Sequence, residues 1–119
     1  MTVLLATDII LEHLNNGVLL NTPDDVEFVI SVITEAELLR LAGTDSEKQR
    51  CIEDVLFLAR TIEIDSTIAR KVAFFENTSE IDLTDLLVAA TALEYRIPLI
   101  TKDPEKFKNI PEIEVRSKI

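Results

Sequence analysis

Asp85-Leu86-Leu87-Val88-Ala89-Ala90-Thr91-Ala92-Leu93-Glu94-Tyr95, followed by Ile97-Pro98-Leu99-Ile100-Thr101 and then Asp103-Pro104, is the stretch that decides the fold class. Its first part is strongly apolar, too long for a strand, and opened by an acid, which predicts a buried helix over Asp85 to Tyr95. The run Ile97 to Thr101 predicts a strand. Asp103 before Pro104 then reads as an N-cap with proline at the first position of a short helix.

The same alternation continues outward in both directions. Thr2 to Ala6 predicts a strand, and Ile9, Ile10 and Leu14 predict a helix ending near Asn15-Asn16-Gly17. Turn chemistry fills residues 18 to 25, Val26 to Val32 predicts a second buried strand, and a helix carrying Ala36, Leu38, Leu39, Leu41 and Ala42 stops at Gly43. A further helix is expected over Ser46 to Arg60, with Cys51, Ile52, Val55, Leu56 and Ala59 on one apolar stripe. Thr61 to Ile64 predicts a third strand, Asp65 or Ser66 a cap for a helix carrying Ile68, Ala69, Val72 and Ala73, and Ile113 to Arg116 a last strand. Strands separated by helices imply right-handed crossovers. The expected architecture is a three-layer α/β/α domain with a mostly parallel sheet of about four to five strands, spanning residues 1–119 as one unit.

Composition narrows the function classes. Twenty-two acidic against twelve basic residues give a net charge of −10, which repels a phosphate backbone unless cations offset it locally. Divalent ions held by carboxylates would do so, aided by Arg40, Lys102, Lys106, Lys108 and Arg116. The single cysteine, Cys51, excludes an intrachain disulfide and a cysteine-built zinc site, and is expected to pack in the core. Met1 to Leu5 lacks a basic leader and is followed by Asp8 and Glu12, and no apolar run reaches the roughly 20 residues that span a bilayer. A reducing cytoplasm fits these features.

Ligands of a parallel α/β sheet bind beyond the carboxyl ends of its strands. Asp8 follows the first predicted strand, Glu35 and Glu37 the second, and Asp103 the fourth, while Asp82 and Asp85 open the helix that feeds the fourth strand. Each has a structural explanation, because carboxylates at helix starts cap N–H groups and favour the macrodipole; Asp82 to Asp85 resembles a capping box. Gathered in one place, however, acids raise one another's pKa and cost stability unless a cation joins them. Oxygen-only ligands point to Mg²⁺ or Mn²⁺, able to activate water at a phosphoryl group. Outside this set, His13 reads as a surface histidine, Phe74 and Phe75 as core or interface residues, and Glu76 and Glu80 as loop solvation.

Four segments carry a family resemblance: Leu4-Leu5-Ala6-Thr7-Asp8-Ile9-Ile10, Ser31-Val32-Ile33-Thr34-Glu35-Ala36-Glu37-Leu38, Asp85-Leu86-Leu87-Val88-Ala89-Ala90-Thr91-Ala92, and Pro98-Leu99-Ile100-Thr101-Lys102-Asp103-Pro104-Glu105-Lys106-Phe107. In that order they resemble the PIN-domain family, especially the VapC-like ribonuclease toxins of toxin-antitoxin pairs. The resemblance implies an endoribonuclease using Mg²⁺ or Mn²⁺, an RNA substrate, a cognate antitoxin protein and a homodimer. It makes Glu37, Asp85 and Asp103 the second, third and fourth metal-site acids, with Asp8, Thr7 and Thr101 in support. The family's first acid belongs at position 6, where this chain has Ala6.

Loss of that carboxylate removes a charge and up to two donor oxygens, so weaker metal binding and slower chemistry are expected. An engineered Asp-to-Ala change, a naturally inactive homologue and a site rebuilt around Asp8 all fit; the intact surroundings favour the first. A catalytically inactive PIN-fold protein-binding module is the alternative function. A phosphoacceptor receiver domain is a third reading, suggested by Thr101-Lys102, but Asp54 lies within the predicted third helix and not at the end of a central strand.

Overall fold

The computed structural model describes residues 1–119. Its elements are β1 (Thr2–Leu5), α1 (Thr7–Asn16), β2 (Glu27–Ser31), α2 (Val32–Ala42), α3 (Ser46–Leu58), β3 (Arg60–Ile62), α4 (Ser66–Lys71), α5 (Leu83–Tyr95), β4 (Leu99–Ile100) and β5 (Val115–Arg116), with 3₁₀ turns at Val72–Phe74 and Pro104–Phe107. The five strands form one sheet in the order β3-β2-β1-β4-β5, and every neighbouring pair is parallel. The chain steps outward from β1 to β3 on one side and from β4 to β5 on the other. The order therefore reverses between β1 and β4, the position at which such sheets bind ligands. This order also excludes a receiver domain, whose sheet runs 2-1-3-4-5.

Strand side chains alternate between two buried layers, as a period of two requires. Val3, Leu5, Ile30 and Ile100 meet Ile9 and Ile10 of α1, Leu38 of α2 and Ile52 of α3. Leu4, Val29 and Leu99 turn the other way, onto Leu86, Ala89 and Ala92 of α5 and onto Phe107 and Ile110. The small residues of α5 let its backbone approach the sheet closely; Ala89 and Ala90 are wholly buried. Large side chains such as Leu4, Ile30 and Leu99 are fully buried, each worth roughly 1.5–3 kcal/mol of transfer free energy.

Local chemistry sets the element ends. Gly17 closes α1 at φ 66°, its N–H donating to the His13 carbonyl at 2.7 Å, a left-handed cap that suits glycine. The Ser31 hydroxyl accepts from Ile33 N–H at the start of α2, Asp45 accepts from Glu47 and Lys48 N–H at α3, and Asp65 accepts from Ile68 N–H at α4. Helix α4 tightens into a 3₁₀ turn at Val72, so of its expected stripe only Ile68 is fully buried. No helix is long and apolar enough to cross a membrane.

One expectation about an individual residue fails, and the core-or-interface expectation for Phe74 is narrowed to the surface. Cys51 is exposed and not core, because it sits one position to the side of Ile52, the only wholly buried residue of α3. Phe74 is 80% exposed, since the 3₁₀ turn directs its neighbour Phe75 to the core instead.

Candidate active site

A cleft of about 620 Å³ opens at the point where the strand order reverses. Ala6, Thr7, Asp8 and Leu11 line it where β1 passes into α1, and Thr101 does so at the end of β4. Glu37, Arg40 and Leu41 reach it from α2, about two to three turns after β2 ends. Asp82, Thr84, Asp85 and Val88 reach it from the N-terminal end of α5, and Lys106 and Phe107 from the 3₁₀ turn. Residues up to 101 positions apart in sequence thus share one wall because parallel strands place all their carboxyl ends at one edge.

Three of the four acids in the cleft, Glu37, Asp8 and Asp85, are held by different partners. The Thr7 hydroxyl donates to Glu37 Oε1 at 2.7 Å and lies 3.1 Å from Thr34 Oγ1, which is buried behind it. Thr101, itself 1% exposed, donates to Asp8 Oδ2 at 2.8 Å, and Lys102 N–H donates to the same oxygen at 3.1 Å. Asp85 Oδ2 faces the Lys106 ammonium at 3.3 Å. Asp8 Oδ1 is buried with no hydrogen-bond partner, a costly state for a carboxylate oxygen unless a cation or solvent meets it.

The sequence-predicted residues do not all arrive together. Glu37, Asp85, Asp8, Thr7, Thr101 and position 6 line the cleft; Asp103 does not. It is exposed, and it is linked to the site by its backbone N–H, which donates to Thr101 Oγ1 at 3.2 Å. Glu35 is also outside the lining. Contrary to the capping interpretation, neither Asp82 nor Asp103 caps its helix with its side chain. Position 6 is the N-cap of α1, and Ala6 there offers no side-chain bond to the first helical N–H groups. His13 is half-buried and structural: its Nδ1 accepts Leu19 N–H at 3.1 Å. Sequence reasoning missed the pairing of Lys106 with Asp85. No local pattern announced it, since the contact crosses 21 residues.

Beside the cleft, Glu12 pairs with Lys102 at 2.9 Å. Hydrogen bonding to Lys102, then to Asn16, lowers the Glu12 carboxyl below its ordinary pKa.

The donors around the cleft are hard oxygens, which suits Mg²⁺ or Mn²⁺ in kind, and the orphaned Asp8 Oδ1 suits it as well. Ala6, which also lines the cleft, adds no donor to them. With Glu37 tied to Thr7 and Asp85 to Lys106, no three His, Cys, Asp or Glu side chains stand close enough to enclose an ion. Sheet order, crossover pattern and carboxylate cleft together define a parallel α/β protein with an acidic site at the topological switch point.

Comparison with known proteins makes the class specific. Residues 8–113 match the model of the PIN domain family, and the chain belongs to that family. A 35-residue segment is 51% identical to "Ribonuclease VapC" of Rickettsia bellii (strain RML369-C), covering 29% of this chain and 26% of that protein, so the match spans about a quarter of the relative's length. Among solved structures, a chain of VapBC-1 from nontypeable Haemophilus influenzae superposes with a TM-score of 0.80 at 24% identity, over 97% of this chain and 96% of that one. A toxin-antitoxin complex from Klebsiella pneumoniae gives 0.71 at 27% identity, over 93% and 94%.

Proposed function

We propose that this single domain of residues 1–119 is a toxin-type PIN endoribonuclease with a weakened metal site. The observation that carries the reading is the meeting of Glu37 and Asp85, from different helices, in one cleft with Ala6 on its floor-forming loop. Glu37, Asp85 and Asp103, supported by Asp8, are the groups that would hold Mg²⁺ or Mn²⁺, which supplies an activated water and neutralises charge developing on a phosphoryl group. Thr7 fixes the Glu37 carboxylate by its 2.7 Å bond, so that little side-chain entropy remains to be lost there. Thr101 joins Asp8 to the backbone of Asp103 and keeps the ends of β1 and β4 in register. Arg40 and Lys106 supply the positive charge that an otherwise acidic cleft needs to admit RNA.

The partners follow from the same reading: an RNA substrate, a cognate antitoxin protein such as those in the related complexes, and a second copy of the chain, all in the cytoplasm. A catalytically inactive binding module is the second reading, favoured by the absence of a donor at Ala6 and by the neutralisation of Asp85 by Lys106.

Ala6→Asp separates the two. An outer-shell partner of a metal site commonly changes activity by about 10–100-fold, and a ligand itself should do no less. Metal-dependent cleavage of a mixed RNA substrate should therefore rise about a hundredfold over the native chain. A folded Ala6→Asp protein without cleavage would favour the binding module.

A further inference from the structure

We propose that Lys106 is a built-in counter-ion that competes with a divalent cation for Asp85, so that loading the cleft requires its ammonium to leave. The proposal rests on the reading of the cleft as a cation site, and it names what holds that site in its present state.

The Lys106 Nζ stands 3.3 Å from Asp85 Oδ2 and 5.8 Å from the centre of the Phe107 ring. Its position is imposed by its neighbours. Pro104 starts the 3₁₀ turn, and Phe107, 3% exposed, anchors the turn's far end in the core beside Leu86, the residue after Asp85. The lysine between them is thus delivered to the first turn of α5. Asp85 lies in the first turn of that helix, so the ammonium stands beside it there. A dication approaching the same carboxylate meets a like charge a few Å away, and it gains Asp85 fully only when Lys106 has moved.

Two features make the ammonium a competitor and not a permanent replacement. Both side chains keep about a third of their surface exposed, so the ion pair is screened and weak. Lysine is also a compact point charge on a flexible stem, with solvent open to it, and lacks the planar fork by which arginine fixes a carboxylate. Glu37, by contrast, is held by a neutral hydroxyl, which leaves its charge available. The cleft therefore contains one carboxylate ready for a cation and one already neutralised.

The test is a titration of the full chain with Mn²⁺, free ion being read from its electron paramagnetic resonance signal, for the native protein, Lys106→Met, Lys106→Arg and Asp85→Asn. Lys106 is exposed, so Lys106→Met should fold normally. It should bind Mn²⁺ about fivefold more tightly, the upper end for a partly exposed ion pair. Lys106→Arg, whose fork holds the carboxylate more firmly, should bind Mn²⁺ more weakly than native, and Asp85→Asn combined with Lys106→Met should erase the gain. Equal or weaker binding by Lys106→Met, while Asp85→Asn still weakens the native chain, would overturn competition and leave the cation site standing. Binding unaffected by Asp85→Asn in both backgrounds would remove the site and the proposal together.

Discussion

Four aspartates hold N-cap positions in this chain, and they divide into two pairs. Asp45 and Asp65 fold back onto the N–H groups of α3 and α4, whereas Asp82 and Asp103 leave those of α5 and the Pro104–Phe107 turn untouched. In the first pair the backbone occupies the carboxylate, and the gain is stability. In the second pair the carboxylate is withheld from its own helix, next to a cleft where Glu37 and Asp85 are held by Thr7 and Lys106. Acids of one kind at one kind of position thus differ in what occupies them, and only the direction of the side chain distinguishes the two pairs.

The sharpest way to break this contrast uses the chain carrying Ala6→Asp. Adding Asp85→Asn there should reduce RNA cleavage about a hundredfold while the denaturation midpoint stays within error, because the lost ion pair is a partly exposed one. A large loss of stability instead would make Asp85 a structural acid. Next in size is Thr101→Val. It strips one bond from Asp8 and removes the acceptor of the part-buried Asp103 N–H bond, costing about 1–2 kcal/mol in urea unfolding. Asp65→Ala should cost about 1 kcal/mol through the lost cap, and Asp82→Ala should cost almost nothing by the same measurement.

The smallest effect concerns pH. Because the folded Glu12 carboxyl lies below its ordinary value, its contribution to stability is present above that value and is lost as pH falls through the lowered one. Lys102→Ala should move the Glu12 titration, followed by carboxyl-carbon NMR, back toward the ordinary value. An unmoved titration would assign the shift to Asn16 alone.

The architecture was readable because buried parallel strands announce themselves as short apolar runs such as Val3-Leu4-Leu5 and Val29-Ile30, separated by capped, striped helices. Strand order was not readable from period alone, since it depends on which crossovers pack on which face. Cys51 was misplaced, and Phe74 left open between core and interface, for a related reason: at the margin of an apolar stripe, one position of helical rotation separates core from solvent. The site was legible as a set of acids beyond strand ends, and Glu37, Asp85 and Asp8 do share a wall. The capping role of Asp82 and Asp103 was misread, because sequence gives an aspartate's position and not its rotamer. The Lys106 pairing lay beyond reach for the same reason, being a contact across 21 residues set by a 3₁₀ turn.

The central claim is that acids remote in sequence form one pocket for a hard cation. Paramagnetic broadening of backbone amide signals by substoichiometric Mn²⁺, in the Ala6→Asp chain, tests it most directly. The signals of Thr7, Glu37, Asp85 and Thr101 should fade together and before all others. Broadening led by the acidic outer surface of α3, around Glu47, Glu53 and Asp54, would contradict it.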